Sequence, residues 1–211
     1  MTDLSPASAE RWRRRKVGLL GGSFNPAHEG HRAVSLYAME KLGLDAVWWL
    51  VSPQNPLKSA VDMAPMTERL ESAVKTANDP RILPTTIESA LGTRYTIDTL
   101  TGLKQAFPET YFVWLMGDEN LVQVTQWKDW KAIFHTVPVA VFRRLEYNEN
   151  AVEGEAAVHF RGCRIDLQNA GELSAMKPPA WVFLDNPLHP ASATAIRKAR
   201  ARGDGSSPPG S

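Results

Sequence analysis

Short apolar runs alternate with stretches of helical period along most of this chain, and that alternation restricts its fold more than any other feature. Val17–Leu20, Ala46–Val51, Tyr111–Met116 and Val137–Phe142 read as buried strands, with a short one beginning at Ile82–Leu83 and a weaker one at Trp181–Leu184. Between the first two, Val34, Tyr37, Ala38 and Leu42 fall at i, i+3, i+4 and i+8, one face of a helix ending near Gly43. Thr67–Ala77 reads as a second helix with Thr67 as N-cap, and Thr96 as the cap of a third whose apolar face is Ile97, Leu100, Leu103 and Phe107. Ser192–Arg202 reads as the last helix. Pro53, Pro56 and Pro65 mark Pro53–Pro65 as loop, and Tyr147–Pro179 shows no clear period. Strands separated by helices of this length form βαβ units. The expectation is α/β: a single doubly wound parallel sheet, Rossmann-like, covered on both faces.

Length and charge narrow the function classes. At 211 residues the chain suffices for one well-buried domain, placed at residues 16–202. A formal charge of +1 supplies no bulk attraction to nucleic acid or to an anionic membrane. Cys163 stands alone, so an internal disulfide is excluded and a reducing, cytoplasmic setting is favoured. The basic run Arg11, Arg13, Arg14, Arg15 and Lys16 reads as part of a flexible, solvated leader over residues 1–15. The apolar stretch after it, Val17–Leu20, is too short for a signal segment or a membrane span. Residues 203–211 are rich in Gly, Ser and Pro and read as a disordered tail.

Ligands of such sheets sit at the carboxyl ends of the strands. There the chain places Gly21-Gly22-Ser23-Phe24-Asn25-Pro26, followed by His28 and His31. Glycines let the backbone approach a phosphate, and the next helix offers free N–H groups and a positive dipole end. Histidines three apart share one helix face and can both donate to one phosphoryl group. They could instead be helix caps, or metal ligands, although no third ligand lies at a supporting spacing. Neither the Gly-x-Gly-x-x-Gly fingerprint nor a Walker loop is present, which disfavours hydride transfer and P-loop hydrolysis.

The Gly21–His31 segment resembles the signature of the nucleotidylyltransferase superfamily, and Ser192-Ala193-Thr194-Ala195-Ile196-Arg197 resembles its second motif. Between them, Pro53–Lys58, Tyr95–Leu100, Trp114–Gly117 and Trp127-Lys128-Asp129-Trp130 follow the order found in bacterial nicotinate-nucleotide adenylyltransferases. The resemblance covers about Val17 to Ala201. It implies adenylyl transfer from ATP, with Mg²⁺, to nicotinate mononucleotide, yielding nicotinate adenine dinucleotide and pyrophosphate.

The resemblance also implies roles. His28, His31 and Lys58 would face the ATP phosphates, with Gly21, Gly22, Ser23 and Phe24 in the ATP-binding turn. Ser192, Thr194 and Arg197 would hold the outgoing phosphates. Gly117 with Asp118 or Glu119 would contact adenosine. Thr96 and Trp127 would line the nicotinate pocket, and Arg144 would meet the acceptor phosphate. Three departures from the family pattern stand out: Asn25 for the usual Asp, Ala193 for a Ser, and Leu145-Glu146 after Arg144 for Pro-Gly. A nicotinamide or phosphopantetheine acceptor, or a non-catalytic nucleotide-binding module, remain alternatives. A homo-oligomer is left open.

Overall fold

The computed structural model describes residues 6–53, 63–143, 151–191, 193 and 196–197. Six strands form one sheet: β1 (Lys16–Gly22), β2 (Ala46–Val51), β3 (Ile82–Thr85), β4 (Tyr111–Gly117), β5 (Val139–Phe142) and β6 (Trp181–Leu184). Their spatial order is β3-β2-β1-β4-β5-β6 and every pairing is parallel. Around it lie α1 (Glu29–Leu42), α2 (Met66–Ala77), α3 (Ile87–Leu91), α4 (Thr96–Ala106), α5 (Asp118–Gln123), α6 (Trp130–Thr136) and α7 (Glu155–His159). The doubly wound α/β architecture is the one expected.

A parallel strand covered on both faces has no solvent side, so its sequence is apolar throughout rather than alternating. All six residues of β2 are buried. Its two tryptophans point to opposite sides, as the two-residue period of a strand requires. Trp48 joins the core containing Leu19, Leu100 and Phe134, while Trp49 joins the core containing Leu42, Val47 and Phe142.

Several expected boundaries move. Thr67 lies inside α2, whose N-cap is Pro65, and Thr96 is the first residue of α4, whose N-cap is Tyr95. Neither threonine is a cap: each has its backbone already in the helix. Ile97, Leu100, Leu103 and Phe107 are buried together, as their spacing demands. Residues 151–175, which lack a readable period, form α7 and three short 3₁₀ segments at 151–153, 161–163 and 167–175. Three of these segments have only three to five residues, and the nine-residue one at 167–175 has the three-residue period of a 3₁₀ helix rather than the α period. Of the helix expected at Ser192–Arg202, Ala193, Ile196 and Arg197 are helical and the remaining residues lie outside the described ones.

The basic arm differs from a free leader. Pro6–Trp12 is a 3₁₀ segment, and Trp12 is 6% exposed, set edge-on against Trp48 with ring centroids 5.0 Å apart. The Thr110 hydroxyl donates to the Trp12 carbonyl at 2.9 Å, and Arg13 pairs with Glu109 at 2.9 Å. The arginines stay exposed, as a basic run should. One large aromatic side chain outweighs them, because burying it removes far more apolar area than the flanking charges need to desolvate. Trp12→Ala should therefore lower the unfolding free energy by about 3–5 kcal/mol in urea titrations, the usual range for emptying a buried tryptophan site. A loss below about 1 kcal/mol would mean that the arm is not anchored there.

Candidate active site

β1 and β4 are neighbours, yet the chain leaves them toward opposite edges of the sheet. Such a switch point opens a crevice at the carboxyl ends of the two strands. Gly21 and Gly22 end β1 on one side of it, and Gly117 ends β4 on the other. Gly21 answers to packing: a Cβ there would stand 2.6 Å from the Trp114 ring.

The turn after β1 leads directly into α1. His28 is the N-cap, in extended conformation (φ −150°, ψ 166°), and His31 is the third helical residue. The His28 N–H donates to His31 Nδ1 at 3.2 Å, while the His28 ring faces the His31 backbone in a reciprocal capping box. The rings lie 3.8 Å apart. Both histidines therefore do cap the helix. Accepting at Nδ1 places the proton of the neutral His31 ring on Nε2.

Phe24 supports this pair from below. Its backbone is left-handed (φ 46°), its ring is 1% exposed, and it stacks on Trp49 at 5.1 Å and 18° while lying 4.8 Å from the His31 ring. Its ring is thus a floor beneath His31, leaving only its backbone to serve a nucleotide. Trp49 is held in turn by donating to Ser35 Oγ at 2.8 Å, and Ser35 donates to the His31 carbonyl at 2.8 Å. Gly30 admits no side chain: a Cβ would meet His28 Nδ1 at 2.9 Å and the Ala191 carbonyl at 3.1 Å.

The same contact brings the two ends of the chain together. Arg197 Nη1 donates to the Asn25 carbonyl at 2.6 Å, joining the second motif to the first turn across 172 residues. Asn25 Oδ1 accepts from the Ala64 N–H at 3.3 Å, a bond an amide can make as well as a carboxylate. That explains why the turn forms without the usual Asp. Arg69, which reads in sequence as one more solvated helix residue, is 3% exposed and bonds carbonyls from three segments around this turn. One signal for it existed: Ala73 and Ala77 follow at i+4 and i+8, so Arg69 shares a face of small, buried residues.

At the end of β4, Asp118 is buried and its Oδ1 accepts from the Glu119 N–H at 2.9 Å. The Glu119 carboxylate folds over Gly117 and is the more accessible of the two acids.

Elsewhere, α4 and the Trp127 turn are tied together. Lys128 Nζ pairs with Asp98 at 3.0 Å and lies 5.0 Å over the Tyr95 ring. Thr96 is part-buried at the start of α4, and Trp127 is part-buried against the core. Beneath them Thr99 Oγ1 donates to the buried Glu88 carboxylate at 3.2 Å and bonds Thr93 at 2.8 Å. Burial pushes the Glu88 carboxyl above its ordinary value, partly offset by hydrogen bonds from Thr99 and Ser52. Lys58, Arg144, Ser192 and Thr194 lie outside the described residues. Arg143, beside the fourth of the expected strands, is occupied by Asp185 at 3.0 Å. His135 and His159 pack on Phe160 edge-on, away from any motif.

A glycine turn meeting a helix N-terminus at a switch point is the arrangement of nucleotide-binding α/β proteins. The cytidylyltransferase-like family model matches residues 19–199. Proteins named probable nicotinate-nucleotide adenylyltransferase are 52% identical over 87% of this chain in Parvibaculum lavamentivorans, covering 91% of that protein. The one from Erythrobacter litoralis is 47% identical over 87% of this chain and 84% of its own length. A Plasmodium falciparum nicotinic acid mononucleotide adenylyltransferase solved with NaAD superposes with a TM-score of 0.63 over 87% of this chain and 83% of that one, at 17% identity, a likeness of fold. The chain belongs to the cytidylyltransferase-like family and, within it, to the nicotinate-nucleotide adenylyltransferases.

Two predictions follow from this packing. Gly30→Ala should displace the His28 ring and lower turnover by about tenfold to a hundredfold. Its Tm should fall as well, since the Cβ crowds the His28 cap and the Ala191 carbonyl, so turnover is read well below Tm; unchanged turnover would show that the His28 position is not critical. For Glu88, a raised carboxyl gives stability that is full below the ordinary value of 4.5 and declines as pH rises through the higher folded value. Glu88→Gln should gain Tm relative to the parent as pH rises from about 4.5 to neutrality. A gap independent of pH would exclude the titration.

Proposed function

We propose that the chain transfers the adenylyl group of ATP to nicotinate mononucleotide, forming nicotinate adenine dinucleotide and releasing pyrophosphate on the way to NAD. The observation that carries this reading is the His28–His31 cap at the switch point, in a chain 52% identical to a relative of that name.

The acceptor phosphate has a second pKa of about 6, so near neutrality it is already a nucleophile. It attacks the α-phosphorus in line, the bond to the bridging oxygen breaks, and pyrophosphate leaves with the electron pair. No protein nucleophile or general base is needed, and the enzyme's task is positioning and charge neutralisation. His28 and His31, with the N-terminal N–H groups of α1, serve the ATP phosphates, aided by Lys58. Gly21, Gly22, Ser23 and Phe24 offer backbone to the same phosphates, and Ser192, Thr194 and Arg197 hold the leaving pyrophosphate. Gly117, Asp118 and Glu119 form the adenosine side. Thr96 and Trp127 hold the nicotinate ring, and Arg144 its phosphate.

Mg²⁺ enters as Mg²⁺·ATP, part of the substrate, and supplies charge neutralisation on the phosphates. Mg²⁺ keeps much of its water and is commonly held through substrate phosphates. Among the described residues no helix is long and apolar enough to cross a membrane; we place the enzyme in the cytoplasm on its substrates and its single cysteine.

Pyrophosphate release is the direct assay, with ATP and nicotinate mononucleotide, nicotinamide mononucleotide or phosphopantetheine in parallel, and CTP as donor control. Turnover is expected with ATP and nicotinate mononucleotide. Faster turnover with another acceptor would reassign the substrate, and none with any pair would refute catalysis. Removing one preorganised donor to a developing charge typically lowers kcat by about a hundredfold to a thousandfold. His28→Ala and His31→Ala should each fall in that range, and near-normal kcat in both would end the assignment.

A further inference from the structure

Arg69 sits in the first turns of α2, where a cation would ordinarily reach solvent, yet its side chain turns inward. The guanidinium has five N–H groups, and each finds an acceptor. Nε donates to the Ala64 carbonyl at 2.9 Å, and Nη1 to the carbonyls of Ser23 at 2.7 Å and Ser52 at 2.8 Å. Nη2 donates to the Pro53 carbonyl at 3.3 Å and lies 3.6 Å from Met66 Sδ. None of these acceptors carries a negative charge. Among the described residues Arg69 makes no ion pair, and its buried charge is met there by neutral acceptors. Burial accordingly disfavours its charged form.

That arrangement is costly in a protein alone, because a charge removed from water is normally repaid by an opposite one. A neutral donor set could pin the same carbonyls without that cost. The surroundings suggest what the charge is for. The Ser23 carbonyl belongs to the turn between β1 and α1, and in a trans peptide the following N–H, that of Phe24, points the opposite way from the carbonyl. A charged donor on the carbonyl also polarises the peptide and strengthens that N–H as a donor. Ser52 adds the second strand to the clamp, since its own N–H donates to the Gly22 carbonyl at 2.9 Å. Ala64 adds the third segment, since its N–H donates to Asn25.

We propose that Arg69 is a positioning residue for the donor nucleotide: its guanidinium orients the Ser23–Phe24 peptide toward the triphosphate and supplies the positive charge behind it. This rests on the reading of the first turn as the ATP site. Arg69 acts through the backbone, and its counter-ion is the polyanionic substrate itself. The acceptor pocket, built from α4 and the Trp127 turn, shares none of the five acceptors.

The test compares Arg69→Gln, which keeps two N–H donors and loses the charge, with Arg69→Lys, which keeps the charge and loses the fork. Binding of Mg²⁺·ATP is measured calorimetrically without acceptor, alongside KM for each substrate, kcat and Tm. Arg69→Gln should weaken ATP binding by about tenfold to a hundredfold, the scale of one charge-assisted hydrogen bond. KM for nicotinate mononucleotide should stay within about twofold, and Arg69→Lys should recover ATP affinity more than it recovers Tm. ATP affinity unchanged in Arg69→Gln while Tm falls would make the arginine a structural pin only. An equal loss for both substrates, or failure of both variants to fold, would likewise overturn the proposal. A parent protein that binds ATP but turns over no acceptor would refute the transfer reaction while leaving the affinity comparison decisive.

Discussion

The central constraint is the position of β1, hydrogen-bonded in parallel to β2 on one side and β4 on the other. Parallel neighbours cannot be joined by a tight hairpin, so each strand must be followed by a crossover that covers the sheet. With β2 and β3 wound one way and β4 to β6 the other, the crossovers diverge at β1 and β4 and leave a crevice there. The glycine turn, the N-terminus of α1 and the β4 end are brought there by topology.

The crevice is built from parts that each serve the fold and the site together. His28 and His31 satisfy the unpaired N–H groups of α1 and present themselves at its positive end. Phe24 accepts a left-handed backbone, and its ring stacks on Trp49 to form the floor beneath His31. Such dual use makes the site stiff: the histidines rest on a buried aromatic stack anchored by the Trp49–Ser35 hydrogen bond, with no solvent-filled gap required below them. Stiffness matters for a reaction whose catalysis is positioning, since reacting polyanions repel and must be held in line.

Polar groups buried around the crevice follow the same economy. Arg69 joins the β1 turn, the β2 end and the Ala64 stem, while Glu88 is bonded by Thr99 of α4 and by Ser52 at the β2 end. Ser52 is thus shared: its carbonyl faces Arg69 and its side chain Glu88. Asn186 performs a comparable task at the far edge, where its amide bonds the Arg143 backbone at 2.8 and 3.1 Å and links the ends of β5 and β6.

Strands with both faces buried were legible because burial on both sides demands continuous apolar residues; Ala46–Val51 and Trp181–Leu184 coincide with β2 and β6. The long helices were legible through their period, and the His pair through its place between a strand and a helix. The caps at Thr67 and Thr96 were misplaced, because a threonine before an apolar face is compatible with both the cap and the first turn. Trp12 was hidden inside a basic run whose charges dominate local reading, and 151–175 in very short segments and a 3₁₀ stretch that lacks the α period.

By itself, the sequence determined the parallel α/β class and the place of the glycine turn and its histidines between the first strand and the first helix, since these depend on local pattern and spacing. The tertiary structure alone decided the burial of Trp12 and the turn of Arg69 into the protein. It also decided the joining of Arg197 to Asn25 across 172 residues. A side chain's environment is set by elements distant in the chain, and for an arginine that environment is the difference between a solvated charge and a buried one.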